Sequence, residues 1–159
     1  MLTALAQDRR SPRVREAVAR NRATPDFALA VLCDDADSTV ARSAMSNPVL
    51  PAEVLSTLCD AVIARNNVSA AAKIAPHENL SESCCVALLD WVFTQPETGA
   101  DGRSQDLTLN WLTRLLLDHP SLSGATRATV LDRWGKSAPA GSWQQRTVDS
   151  TRMLGTWWR

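Results

Sequence analysis

Tyrosine is absent from the 159 residues, phenylalanine occurs only at Phe27 and Phe93, and all six tryptophans lie at or after Trp91. Runs of β-branched residues are few while alanine and leucine are common, a balance that favours helix over sheet. Glycine is scarce, and the pair Gly99 and Gly102 lacks the strand–loop–helix setting of a phosphate loop. No stretch approaches 18 uninterrupted apolar residues, and residues 1–10 lack a basic start followed by an apolar segment. A membrane span and a secretory signal are therefore not expected, and a bacterial-type cytoplasm with reduced thiols is. Net charge is absent too: 17 basic residues balance 17 acidic ones, so the totals call for no polyanionic partner. With 45% apolar and 21% charged residues the composition is that of a folded chain, and its length suits one domain spanning 1–159.

What the chain does have is repetition. Asp8, Val14, Asn21, Pro25 and Leu29 recur as Asp34, Val40, Asn47, Pro51 and Leu55, each at the same offset (47 − 21 = 26). The pattern drifts afterwards. The segment Met45–Pro51 is echoed by Ala75–Ser81 at an offset of 30 (77 − 47 = 30), and again by Leu117–Ser123 a further 42 along (119 − 77 = 42). The junction residue reads Asn21, Asn47, His77, His119. The extra length in the last interval falls in residues 95–105, an inserted loop with Pro96, Gly99 and Gly102.

Each unit reads as two helices. Thr24-Pro25 supplies an N-cap hydroxyl and a proline at the first helical position, after which Phe27, Leu29, Ala30 and Leu32 form an apolar face. Leu50-Pro51, Leu80-Ser81 and Leu122-Ser123 open helices in the same way. Ser11-Pro12 and Asp37-Ser38 begin shorter second helices, and Asn21 and Asn47 suit the left-handed position that ends them. The spacing predicts helices over 2–7, 12–20, 25–33, 38–46, 51–65, 68–76, 81–94, 105–118, 123–135 and 143–158. A two-helix unit this small buries its apolar face only against neighbours. The expected fold is therefore all-α, a right-handed α-solenoid of about four two-helix repeats. Repeats are regular over 5–60 and degenerate over 61–135, with a capping helix at 143–158.

The segment Val14–Asn21, with Thr24-Pro25, Leu29, Leu32, Asp34–Asp37, Val40, Arg42, Asn47-Pro48 and Pro51, resembles the bacterial variant leucine-rich repeat family, a relative in style of HEAT and armadillo arrays. The resemblance implies a helical-repeat interaction scaffold rather than an activity. Some members are similar to a protein with an N-terminal iron–sulfur module; no cysteine precedes Cys33, so that cluster is not carried over.

Few residues could carry chemistry. Cys33 and Cys59 share a repeat position, Cys84 and Cys85 follow one repeat later, and no C-x-x-C spacing occurs, so these read as core thiols. His77 and His119 are equivalent positions on helices expected ~8–10 Å apart, which suits helix-end capping better than zinc. G-x-S-x-G and H-E-x-x-H are absent. No catalytic, metal or cofactor residues are assigned, and an enzyme or enzyme subunit is the third reading.

Charge is more informative. Residues 1–22 carry six arginines against Asp8 and Glu16, residues 23–60 carry six acids against Arg42, and residues 125–159 are basic again. The leading reading is a scaffold for a protein or peptide partner, using the second helices and their junctions. Candidate contacts are Arg9, Arg10, Arg13, Arg20, Arg42 and Lys73, with Asn21 and Asn47 at the rim. Nucleic-acid binding through the arginine-rich first repeat is the alternative. Trp91 and Trp111 are expected in the core. Trp157 and Trp158 cannot share a face, so Trp158 or Trp143 is expected to meet a partner or a second copy, unless the last helix packs on Trp134. A homodimer covering the apolar end of the first repeat is a further expectation.

Overall fold

The computed structural model describes residues 1–8, 11–96 and 106–155, and these form ten helices without a strand. They are α1 (Leu2–Ala6), α2 (Pro12–Arg20), α3 (Asp26–Cys33), α4 (Ser38–Met45), α5 (Ala52–Ala64), α6 (Val68–Ile74), α7 (Glu82–Phe93), α8 (Asp106–Leu117), α9 (Gly124–Ser137) and α10 (Trp143–Gly155). The chain divides into two compact units, Met1–Ser81 and Glu82–Arg159.

In residues 1–81 the helices stack as repeated pairs, the α-solenoid arrangement. The second helices form one layer, α4 packing on α2 and α6 on α4, while α3 packs on α4 and α5 on α6. Alanines at the layer's contacts, among them Ala19, Ala44 and Ala71, are fully buried and let the axes approach. Leu29, Leu32, Val40, Leu50, Leu55 and Ile74 fill the core between the layers. Each of these aliphatic side chains contributes about 1.5–3 kcal/mol by leaving water.

The second helices start alike. Ser11 Oγ accepts from Val14 N at 3.4 Å, Asp37 Oδ1 from Thr39 N at 2.8 Å, and Asn67 Oδ1 from Ala70 N at 3.0 Å. These three N-caps keep the repeat offsets (37 − 11 = 26, 67 − 37 = 30), so one capping device is reused with three residue types. The first helices differ. α3 and α5 begin after Pro25 and Pro51 with no side-chain cap, and the Thr24 hydroxyl instead donates to Val18 O at 2.6 Å. Thr24 thus closes the helix behind it, not the one ahead.

The junction residues also close helices behind them. Asn47 Nδ2 donates to Ala19 O at 2.7 Å, a carbonyl left over where α2 ends, and to Asn21 O at 3.1 Å, which also accepts from Thr24 N. One repeat on, His77 Nε2 donates to Met45 O at 2.6 Å, the last residue of α4. Met45 is the repeat equivalent of Ala19 (45 − 19 = 26), so Asn and His perform one task. Locally, Asn21 Oδ1, Asn47 Oδ1 and His119 Nδ1 each accept the backbone N–H two residues on, at 2.9, 3.1 and 3.2 Å. The left-handed conformation expected of Asn21 and Asn47 is not used: Asn21 is extended at φ −78°, ψ 123°. Among the described non-glycine residues it belongs to Asn66 alone, at φ 51°, where α5 ends.

In residues 82–159 four helices pack around tryptophan. Phe93 and Trp134 stack with ring centroids 4.5 Å apart, and α10 packs on α9 and α8. The Trp143 indole donates to Gln95 O at 3.1 Å, and Gln144 Nε2 donates to Phe93 O at 3.1 Å. Gln95, expected at the start of an inserted loop, is therefore buried; residues 97–105 lie outside the described residues. Ser123 caps α9 and its backbone N–H reaches Glu82 Oε1 at 2.9 Å.

Candidate partner-binding face

Charge in residues 1–81 is sorted by helix layer. Arg13 and Arg20 are exposed on α2, Arg42 is exposed on α4, and Lys73 is half-buried on α6. The helical register explains their common side. Buried Val18 and Ala19, Val40 and Ala44, and Ala70, Ala71 and Ile74 turn inward, which leaves the arginines and the lysine on the outer side of the second-helix layer. Helices α3 and α5 instead carry Asp26, Asp34, Glu53 and Asp60 in exposed positions.

Some cations are used structurally. Arg15 forms a forked pair with Asp35, Nε–Oδ2 at 2.7 Å and Nη2–Oδ1 at 3.0 Å, and also donates to Asp8 O at 2.7 Å. Asp35 accepts from Asp37 N at 2.8 Å as well. The Arg15 hydrogen bond holds the Asp35 carboxyl below its ordinary range, and the same bond raises the Arg15 guanidinium. Arg20 pairs with Glu16 at 2.6 Å and donates to Ser43 Oγ at 3.3 Å, tying α2 to α4. Arg65 meets Asp34 at 3.3 Å. Pairing between neighbouring repeats accounts for part of the charge pattern.

Arg13, Arg22, Arg42 and Lys73 have no ion-pair partner among the described residues. Arg22 and Lys73 line one hollow of about 660 Å³ with His77, Glu78 and Asn79. Arg13 lines a second of about 420 Å³ with Glu16, Asp37 and Thr39. Arg22 was not singled out from the sequence, because it sits in a junction 51 positions before Lys73 (73 − 22 = 51) and only folding brings the two together.

Several expected contacts fall elsewhere. Arg9, Arg10 and Trp158 lie outside the described residues. Trp143 is not a surface contact: it is 0% exposed, since its ring enters the core of the second unit and its N–H is used by Gln95. Trp111 is the reverse, expected in the core yet 50% exposed, because Leu109, Leu112 and Leu116 define the inward stripe of α8 and Trp111 lies off it. Phe27 is likewise 59% exposed, with Ala28, Leu29, Leu32 and Cys33 turned inward. Asn21 is exposed and Asn47 buried, so only Asn21 stands at a rim.

All four cysteines are buried, and none is in a disulfide. Burial pushes the Cys33 and Cys85 thiols up to about 12, away from the thiolate form that binds metal or attacks. Among the described residues no three His, Cys, Asp or Glu side chains gather as a metal site, and no helix is long and apolar enough to cross a membrane.

Residues 12–37 match the family model of the leucine rich repeat variant. The match runs from the first residue of α2 to the N-cap of α4, one repeat period of the chain (37 − 12 + 1 = 26). The matched segment thus comprises a second helix, a junction and the following first helix. No curated protein and no solved structure matches the chain.

Proposed function

We propose that the chain is a non-catalytic helical-repeat scaffold whose second-helix face binds an acidic segment of a protein or peptide partner. The observation that carries this reading is the set of cations without internal partners, Arg13, Arg42 and Lys73, on three successive second helices. A charge pairing only within the fold contributes to packing; a charge left free across three repeats is available to something outside it. The leucine rich repeat variant match at residues 12–37 supports the scaffold part of the reading.

The test is binding of a fluorescently labelled Asp/Glu-rich peptide by the wild type and by a variant carrying Arg13→Glu, Arg42→Glu and Lys73→Glu together. The expected result is saturable binding weakened at least about tenfold in the variant, a loss of about 1.4 kcal/mol. A labelled single-stranded oligonucleotide is measured in parallel at about 50 and 200 mM salt. Tighter binding to the oligonucleotide, with a steep salt slope removed by the same reversals, would replace the peptide reading by the nucleic-acid one.

A further inference from the structure

The opposite layer of residues 1–81 carries a second feature that the basic face does not use. Helices α3 and α5 have little mutual contact, and between them lies a cavity of about 410 Å³ open to solvent. Its α5 wall is Val54, Leu58 and Ala61, spaced i, i+4, i+7 along one side of the helix and half-buried. Met45 and the buried Cys33 also line it, and burial keeps the Cys33 thiol neutral. Such a volume with a mainly aliphatic lining is in the range of ligand-binding clefts.

The rim is acidic. Asp34 and Glu53 line the mouth. Asp26 lies on α3 one turn before Ala30, and Asp60 lies on α5 within a turn of Thr57, so each extends a rim stripe by helical spacing. Arg65 is the cation at this mouth, and it is engaged with Asp34. Asp26, Glu53 and Asp60 have no ion-pair partner among the described residues.

We infer that this groove docks an amphipathic helix of a partner protein whose aliphatic stripe is flanked by lysine or arginine. A stripe of Leu, Ile or Val at i, i+4 and i+7 matches the walls, and flanking cations meet the carboxylates on both sides. The site lies on the other helix layer from the basic face and stands or falls apart from it.

The test uses the full chain and two labelled synthetic helical peptides with identical leucine stripes, one flanked by lysine and one by glutamate. The lysine peptide is expected to bind at least tenfold more tightly than the glutamate peptide. Leu58→Glu, which places a charge on the apolar wall, should weaken it at least tenfold. Because Leu58 is half-buried, Thr57→Arg on the exposed rim serves as the variant that keeps the fold, checked by its thermal melt, and should weaken binding about fivefold. Reversal of Arg13, Arg42 and Lys73 should leave it unchanged. Equal binding of the two peptides, or binding that survives both groove variants, overturns the inference. So does a wild-type dimer, seen by light scattering, that Thr57→Arg converts to monomer, since the occupant would then be a second copy of the chain.

Discussion

In residues 1–81 polar side chains tie each helical pair to the one before: Asn47 to Ala19 and Asn21, His77 to Met45, Arg15 to Asp35. In residues 82–159 tryptophan joins polar ties such as Glu82 to Ser123, with Trp134 stacked on Phe93 and Trp143 bonded to Gln95. The repeated unit presents the same carbonyls at the same spacing each time, so a short amide or imidazole serves at every junction. Where residues 95–105 lengthen the interval, His119 keeps the local junction bond, and large rings fill space that a repeat would have filled with its neighbour. Regularity therefore permits polar specificity; irregularity calls for aromatic volume.

The widest test of this contrast is Trp143→Ala. The ring is fully buried, and its removal leaves a cavity and takes from the Gln95 carbonyl the nearer of its two side-chain donors. A loss of about 3–5 kcal/mol is expected from the urea midpoint followed by circular dichroism. Hydrogen exchange then sharpens the comparison. Amides in 82–155 should lose protection while those of α4 and α5 keep theirs; equal loss in both units would show that the two fold as one cooperative body.

Asn47→Ala comes next. It leaves the Ala19 carbonyl and the N–H of Val49 without their partner and takes one of two donors from Asn21 O, and a cost of about 1–3 kcal/mol is expected. Asn47→His should recover part of that loss, because His77 already makes the equivalent bond one repeat later. If histidine at 47 is no better than alanine, the two junctions are not equivalent.

Much of this architecture was legible in the sequence, and the exceptions have physical causes. The helix spans predicted from proline, hydroxyl and apolar spacing all correspond to observed helices, because those residues act locally. The orientation of α3 was not legible. Its residues Phe27 to Cys33 are all apolar, so no polar stripe marks the outer side, and the pattern puts Phe27 on the apolar face although it is exposed. Thr24 failed for a related reason: two helix ends lie within a few residues, and a hydroxyl can serve either. Trp143 sits among Gln144, Gln145 and Arg146, which read as surface, and its burial comes from a segment 48 positions earlier (143 − 95 = 48). The second-helix face was legible through the repeat offset. The groove between α3 and α5 was not, since it depends on how far two helices splay.

The smallest effect expected concerns acid. Asp35 has a folded-state pKa below its ordinary value of about 4 because Arg15 holds the ionised form. A depressed carboxylate contributes stability that is fully present above its unfolded pKa and is lost as pH falls through the lower folded value. Urea midpoints of the wild type and Asp35→Asn should thus differ most near neutral pH and converge below about pH 4. Asp132 in the second unit is also lowered, first by its hydrogen bond from Lys136. That pair is exposed, i to i+4 on one helix, and water and salt screen it. Asp132→Asn should therefore leave the midpoint unchanged across the same range. A difference as large as that of Asp35→Asn would mean that inter-repeat pairing in the first unit is no stronger than a surface contact in the second.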